Sequence, residues 1–202
     1  MKMYMVRHGE STANEKKLHA GWAQVPLTKK GKLQAQEAAA HLRGLRFEAV
    51  WVSDLLRARQ TKEIALPDIP ARESVLLREI GVGKLAGKSG QECLIQYGDR
   101  YLTDKANRDF RFYGGESGEM QMERVRTFLS ALTEQESGDV AVFCHEGTIR
   151  CVLEICEGEW VTPPLNNGGV YLFEYTDGNW KFEGQVEEVE SDGNGDQTDY
   201  GK

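Results

Sequence analysis

The sequence predicts an α/β domain with a mainly parallel central sheet. Three observations carry that expectation. Short apolar runs at Tyr4-Met5-Val6, Ala49-Val50-Trp51-Val52 and Val140-Ala141-Val142-Phe143-Cys144 alternate with stretches of helical period. The third run is apolar almost throughout, as a strand covered on both faces must be. At 202 residues, 40% of them hydrophobic, the chain can bury one sizeable core but would be cramped as two domains.

In chain order, the first strand ends in Arg7-His8-Gly9. Thr28 can cap a helix to about Arg43, with Leu33, Ala35, Ala38, Ala39, Leu42 and Leu45 at helical spacing and Gly44 at its C-terminal end. After the second strand, Ser53 or Asp54 is placed to cap a helix through Ala65. The glycine-rich stretch from Val75 to Tyr113 predicts little beyond a helix near Gln91 to Tyr97. A helix from Ser117 to about Glu136 carries Met122, Val125, Leu129 and Leu132 on one face. Thr148 to Cys156 fits a mostly buried helix. Gly169 to Tyr175 and Trp180 to Val186, joined through Asp177-Gly178, predict a hairpin and hence an antiparallel element at the end. Residues 1–186 are therefore expected to form one domain. The acidic, glycine-rich tail 187–202 offers almost nothing to bury, and its composition predicts disorder.

The formal net charge of −7 argues against a nucleic-acid partner, which needs a basic face to neutralise phosphates. A small phosphorylated metabolite remains compatible, because a few arginines in one pocket outweigh the global sign locally. No apolar run approaches the roughly 18 residues of a membrane helix, and the apolar stretch at the N-terminus is too short for a signal peptide. The expectation is a cytoplasmic protein with no membrane partner. The four cysteines form no CxxC pair, so neither zinc ligation nor a disulfide framework is expected. The sequence carries no sign of an oligomeric state.

Open α/β sheets bind ligands beyond the carboxyl ends of their strands. Those ends carry Arg7-His8-Gly9, then Ser53-Asp54 with Arg57 one turn on, then His145-Glu146-Gly147. Two histidines and two arginines thus face one crevice, and the glycine after each histidine would let a ligand approach the backbone. A lone histidine at a strand end is usually structural; two, joined by two arginines, point to a site. Arginine matches phosphate oxygens with a planar fork, and histidine can carry a phosphoryl group covalently.

The string Arg7-His8-Gly9-Glu10-Ser11, with Asn14 after it, resembles the signature of the histidine phosphatase superfamily, also called the phosphoglycerate mutase-like family. The likeness continues in Gly21-Trp22, Pro26-Leu27-Thr28, Gly31, Ser53-Asp54-Leu55-Leu56-Arg57-Ala58 through Gln60-Thr61, Leu77-Arg78-Glu79 and Gly114-Gly115-Glu116-Ser117. It ends at His145, Gly147 and Ile149-Arg150. Together these motifs, in family order over roughly residues 3 to 175, are highly specific. The resemblance implies a three-layer fold with helices on both faces of the sheet. It implies that His8 accepts the phosphoryl group and that Arg7, Arg57 and His145 complete the phosphate pocket. Asn14, Gly9 and Gly147 become substrate-binding candidates. Glu79 becomes the proton donor to the leaving group and later the base that activates water. By its surroundings in sequence alone, Glu79 is a solvated loop carboxylate. The family uses no metal or organic cofactor, so none is expected here.

Three positions depart from the family pattern. Glu146 stands where glycine is common, Ala86 where glutamate is frequent, and Gln24 where aspartate is frequent. None removes a candidate catalytic group, but Glu146 puts a carboxylate beside the pocket histidine. The expected activity is hydrolysis of small phosphomonoesters. The alternatives are a phosphoglycerate mutase and a non-catalytic phosphate-binding module. Against the mutase stand the short stretch from Lys84 to Tyr113 and the lack of a tryptophan just before Asn14.

Overall fold

The computed structural model describes residues 1–186, so the tail 187–202 lies outside the described residues. A six-stranded sheet runs through the middle in the order β3-β2-β4-β1-β5-β6. Its strands are β1 (Lys2–Arg7), β2 (Ala49–Ser53), β3 (Arg72–Ser74), β4 (Val140–Cys144), β5 (Val170–Thr176) and β6 (Asn179–Gln185). The first four in spatial order are parallel, and β5 and β6 add the antiparallel edge. Asp177 and Gly178, both at positive φ, close the β5–β6 hairpin in the way that suits the right-handed twist of paired strands.

Among the described residues, seven α-helices connect the strands: α1 (Thr12–Glu15), α2 (Lys29–His41), α3 (Leu56–Ala65), α4 (Gly90–Tyr97), α5 (Asp99–Ala106), α6 (Gly118–Gln135) and α7 (Glu146–Glu157). Strand alternation sorts the core into two layers. Met3, Met5, Val140, Val142 and Cys144 pack against Val125, Phe128, Leu129 and Leu132 of α6 and Ile149 and Val152 of α7. Tyr4, Val6, Ala141 and Phe143 face the other way, against Ala38 and Leu42 of α2 and Ala58 and Ala65 of α3. The three-layer α/β architecture follows directly. No described helix is long and apolar enough to cross a membrane.

Four sequence expectations need correction. Neither Ser53 nor Asp54 caps α3: its N-cap is Leu55, with no side-chain cap, and the Leu56 N–H donates to Gln24 Oε1 at 2.8 Å from another loop. Leu33 is exposed, because α2 meets α3 through small residues and Leu33 lies off that face. Helix α7 begins at Glu146 rather than Thr148, with His145 as its N-cap. Strand β3 and helix α5 were not expected. The first is three residues of polar sequence at an edge, and Gly98, at φ 59°, separates the second from α4.

Between β3 and α6 the chain builds a cap with its own small core of Val82, Leu85, Cys93, Tyr101, Phe110 and Tyr113. This cap overhangs the carboxyl ends of β1, β2 and β4.

Candidate active site

The sheet register sets two histidines side by side. Arg7 pairs with Cys144 across β1 and β4, and the His8 N–H donates to the Cys144 carbonyl at 3.0 Å. The next residues, His8 and His145, then bring their ring centroids to 5.2 Å, with planes inclined by 58°.

Hydrogen bonds fix the tautomer of His8. Its Nδ1 lies 2.7 Å from the Gly9 carbonyl oxygen, which can only accept, so Nδ1 carries the proton. The Arg57 Nε–H donates to Nε2 at 3.2 Å, which requires a lone pair there. His8 thus presents a neutral ring whose Nε2 lone pair faces a guanidinium. Burial, then Arg57, hold its pKa well below the ordinary histidine value.

His145 is fully buried, and its Nε2 sits 2.8 Å from Ser53 Oγ at the end of β2. Its Nδ1 is buried without a partner among the described residues. If the serine hydroxyl donates to Nε2, Nδ1 carries the proton as a free donor. Burial and the nearby Arg57 depress this histidine's pKa well below its usual value too.

Arg57, 1% exposed, projects from the first turn of α3. Its Nη2 donates to the Gly21 carbonyl at 2.9 Å and its Nη1 to the Ala23 carbonyl at 3.2 Å. With the bond to His8, three of five guanidinium hydrogens are used and two remain for an anion. Burial lowers its pKa to about 10, which leaves it charged at neutral pH. Arg7 is held by the Leu165 carbonyl and, at 2.9 Å, by Glu146 Oε2, while its buried Nε has no partner among the described residues.

Glu79 sits on a loop pinned from several sides. Arg78, before it, donates to Asp54 at 2.8 Å and lies over the Trp22 ring at 5.0 Å. Trp22 Nε1–H and Arg124 Nη2–H both donate to the Glu79 carbonyl, at 2.7 and 3.0 Å. Arg124 also pairs with buried Glu116 at 2.9 Å, and Glu116 accepts from the Gly81 N–H. These contacts give a physical reason for the Trp22, Ser53-Asp54, Leu77-Arg78-Glu79 and Gly114-Gly115-Glu116-Ser117 motifs: they interlock to aim one carboxylate. That carboxylate accepts from the Ile80 N–H at 2.8 Å, the Gly147 N–H at 3.1 Å and the Gln121 amide at 3.3 Å.

Arg7, His8, Asn14, Arg57, Glu79 and Glu146 line one cavity of about 260 Å³ beneath the cap. Leu18, His19, Ile80, Val82, Lys105 and Phe110 form the rest of its wall, so its outer part is largely apolar. Asn14 Oδ1 accepts from the Ser11 N–H at 3.0 Å, which leaves its amide NH₂ as the group it can offer. Gly9 and Gly147 stand beside the cavity but do not line it. The Gly9 N–H donates to Thr61 Oγ1 and the Gly147 N–H to Glu79. Both approaches that were expected to serve a ligand are instead filled by protein. A Cβ on Gly9 would lie 2.1 Å from the Gly31 carbonyl oxygen, and one on Gly147 would lie 2.1 Å from Glu79 Oε1.

Sequence reasoning gave no role to Gln121, Lys105, His19 or Asn167, whose side-chain amide donates to the His8 carbonyl at 3.0 Å. Gln121 carried a signal: it is a polar residue four before Val125, in the buried stripe of α6.

The buried histidine pair predicts a pH-dependent stability. Both folded pKa values lie below the unfolded value of about 6.5, so the unfolded chain binds more protons below that pH. Stability is then fully present above about pH 6.5 and falls as pH drops, by up to about 1.4 kcal/mol per unit for each histidine. Denaturant unfolding between pH 7.5 and 5 should reveal the slope, and His145→Gln should remove about one histidine's share. An unchanged slope in that variant would mean His145 is not held neutral.

Comparison with known proteins places this geometry. The family model for the histidine phosphatase superfamily (branch 1) matches residues 3–187. A 2,3-bisphosphoglycerate-dependent phosphoglycerate mutase 2 from Gloeobacter violaceus is 32% identical over 160 residues, covering 75% of this chain and 73% of its own. The crystal structure of phosphoglycerate mutase from Thermus thermophilus superposes with a TM-score of 0.69 at 30% identity, covering 93% of this chain and 99% of that one. The α-ribazole phosphatase from Shigella flexneri reaches a TM-score of 0.83 at 22% identity over 94% and 98% of the two chains, a likeness of fold.

Proposed function

Because this chain belongs to the histidine phosphatase superfamily, branch 1, we propose that it hydrolyses small phosphomonoesters through a phosphohistidine on His8, without a metal ion. The observation that carries the reading is the Nε2 lone pair of a neutral, buried His8 facing Arg57 at the base of a cavity that Glu79 also lines.

In the first half-reaction, the phosphoryl group enters between His8 Nε2 and Arg57. Nε2 forms a bond to phosphorus as the ester P–O bond breaks. The two free Arg57 hydrogens, Arg7 Nε–H, the Asn14 amide and His145 Nδ1–H meet the phosphoryl oxygens, where transition-state charge collects. The leaving oxygen takes a proton from the carboxylic acid form of Glu79. In the second half, the Glu79 carboxylate takes a proton from water as that water attacks phosphorus. The P–N bond breaks, and inorganic phosphate and neutral His8 are restored. The cationic and N–H donors supply the charge stabilisation that a metal supplies in other phosphatases.

A mutase would use the same phosphohistidine but return the group to a second hydroxyl, which favours a deep site that excludes water. Here the cap over the cavity holds only two eight-residue helices, α4 and α5. That brevity supports transfer to water. The named relatives include both mutases and a phosphatase, so the reaction is decided by assay. Supplied with 3-phosphoglycerate and catalytic 2,3-bisphosphoglycerate, and separately with a panel of other monoesters, the protein should release free phosphate and form little 2-phosphoglycerate. EDTA should leave the rate unchanged and vanadate should inhibit. Efficient isomerisation with little phosphate release would make it a mutase. Absence of turnover on every ester would leave a phosphate-binding module.

A further inference from the structure

Glu146 is a carboxylate in a cavity otherwise arranged for an anion. It opens α7, directly after His145, and lines the cavity together with Arg7 and Glu79. Its Oε2 takes Arg7 Nη2 at 2.9 Å, and its Oε1 takes Arg150 Nη2 at 2.7 Å and Nε at 3.0 Å. Arg150 is further tied to the Val161 carbonyl and does not line the cavity. A bound molecule therefore meets the carboxylate and not the second guanidinium. The clamp also leaves Arg7 with a fixed orientation: Nη1 is on Leu165, Nη2 on Glu146, and the buried Nε is free.

We propose that Glu146 is a specificity residue of this site, favouring monoesters with a neutral, hydroxyl-bearing leaving group and rejecting those with a second anion. The proposal rests on the reading of the cavity as a phosphomonoester site. The phosphoryl group occupies the end formed by His8, Arg57 and Arg7 Nε. The leaving group then extends past Glu146 toward the outer wall. A hydroxyl there can donate to the free acceptor capacity of a carboxylate that is about one-third exposed. A carboxylate or second phosphate would meet a like charge at short range in a partly desolvated cavity, where repulsion is stronger than in water. Lys105, on the cap wall, is the one lysine among the described residues lining the same cavity; together with His19 it limits how far the selection extends rather than reversing it.

The test compares two ligands of similar size, glycerol 1-phosphate and 3-phosphoglycerate, which differ in a hydroxymethyl against a carboxylate. Calorimetric Kd values are measured with His8→Gln protein, in which neither ligand should be consumed, and with the same protein also carrying Glu146→Gln or Glu146→Asp. Glu146→Gln should improve 3-phosphoglycerate binding relative to glycerol 1-phosphate by about tenfold, whereas Glu146→Asp should keep the parent ratio. An unchanged ratio in Glu146→Gln overturns the proposal, as does equal weakening of both ligands, which would make Glu146 only a support for Arg7. No measurable binding of either ligand to any form also overturns it. Failure of the phosphatase reading is seen separately, as wild-type protein that releases phosphate from no ester, and does not depend on the Kd ratio.

Discussion

Replacing His8 with alanine should lower turnover by about 10⁴-fold or more, the scale expected when a covalent nucleophile is removed. It should also abolish acid-labile labelling of the protein by a phosphorylated substrate. The expectation follows from the bonding of one ring: Gly9 takes the Nδ1 proton, so the lone pair must be on Nε2, where Arg57 meets it. No other described side chain combines that exposure to the cavity with a neutral nitrogen lone pair facing a guanidinium. His145 cannot substitute, because its Nε2 is committed to Ser53 behind the cavity. The variant should stay folded, since the His8 backbone keeps its bonds to Cys144, Gly168 and Asn167. Rapid-quench labelling with a ³²P ester, beside a steady-state assay, checks both parts. Near-normal turnover in His8→Ala would remove the phosphohistidine from the mechanism.

Arg57→Ala should depress turnover by about 10²–10³-fold, through loss of donors that meet charge only as it develops. Arg57→Lys should recover little, because a lysine can neither reach two carbonyls and a histidine at once nor reproduce the planar fork. A second readout separates this role from a purely structural one. Burial is the main cause of the depressed His8 pKa and the Arg57 charge the next, so removing Arg57 lets that pKa rise. Only neutral His8 can attack. The acid limb of kcat/KM should therefore move to higher pH in Arg57→Ala. A loss of rate with an unmoved acid limb would mean that Arg57 supports the fold of the loop through Gly21 and Ala23 without acting on His8.

The parallel part of the sheet was legible because each strand is a short apolar run and the intervening segments have helical period. The β5–β6 hairpin was legible because Asp-Gly satisfies a turn that few other pairs can form. Local signals failed where partners lie far off in sequence. The start of α3 could not be placed from Ser53 and Asp54, because each is used elsewhere: Ser53 by His145 and Asp54 by Arg78. The cap from Gln24 is 32 residues away. Helix α5 and strand β3 are too short and polar to announce themselves by periodicity.

The sequence by itself determined that strand ends would carry His8 and His145, with Arg7 and Arg57 close by, because residues that follow an apolar run must emerge at the edge of the sheet. It could not determine which backbone groups remain free. Gly9 and Gly147 looked like openings for a ligand, yet tertiary packing fills both, with Thr61 and Gly31 at one and Glu79 at the other. Nor could it determine that Glu79, an ordinary loop carboxylate by its neighbours, is held beside His8's cavity by Trp22, Arg124 and Gln121, or that Glu146 clamps Arg7. The physical reason is the range of the interactions. Strand and helix periodicity act between near neighbours and are written locally. The charge, hydrogen-bonding and access of a buried group depend on atoms that only the folded chain brings within a few ångströms.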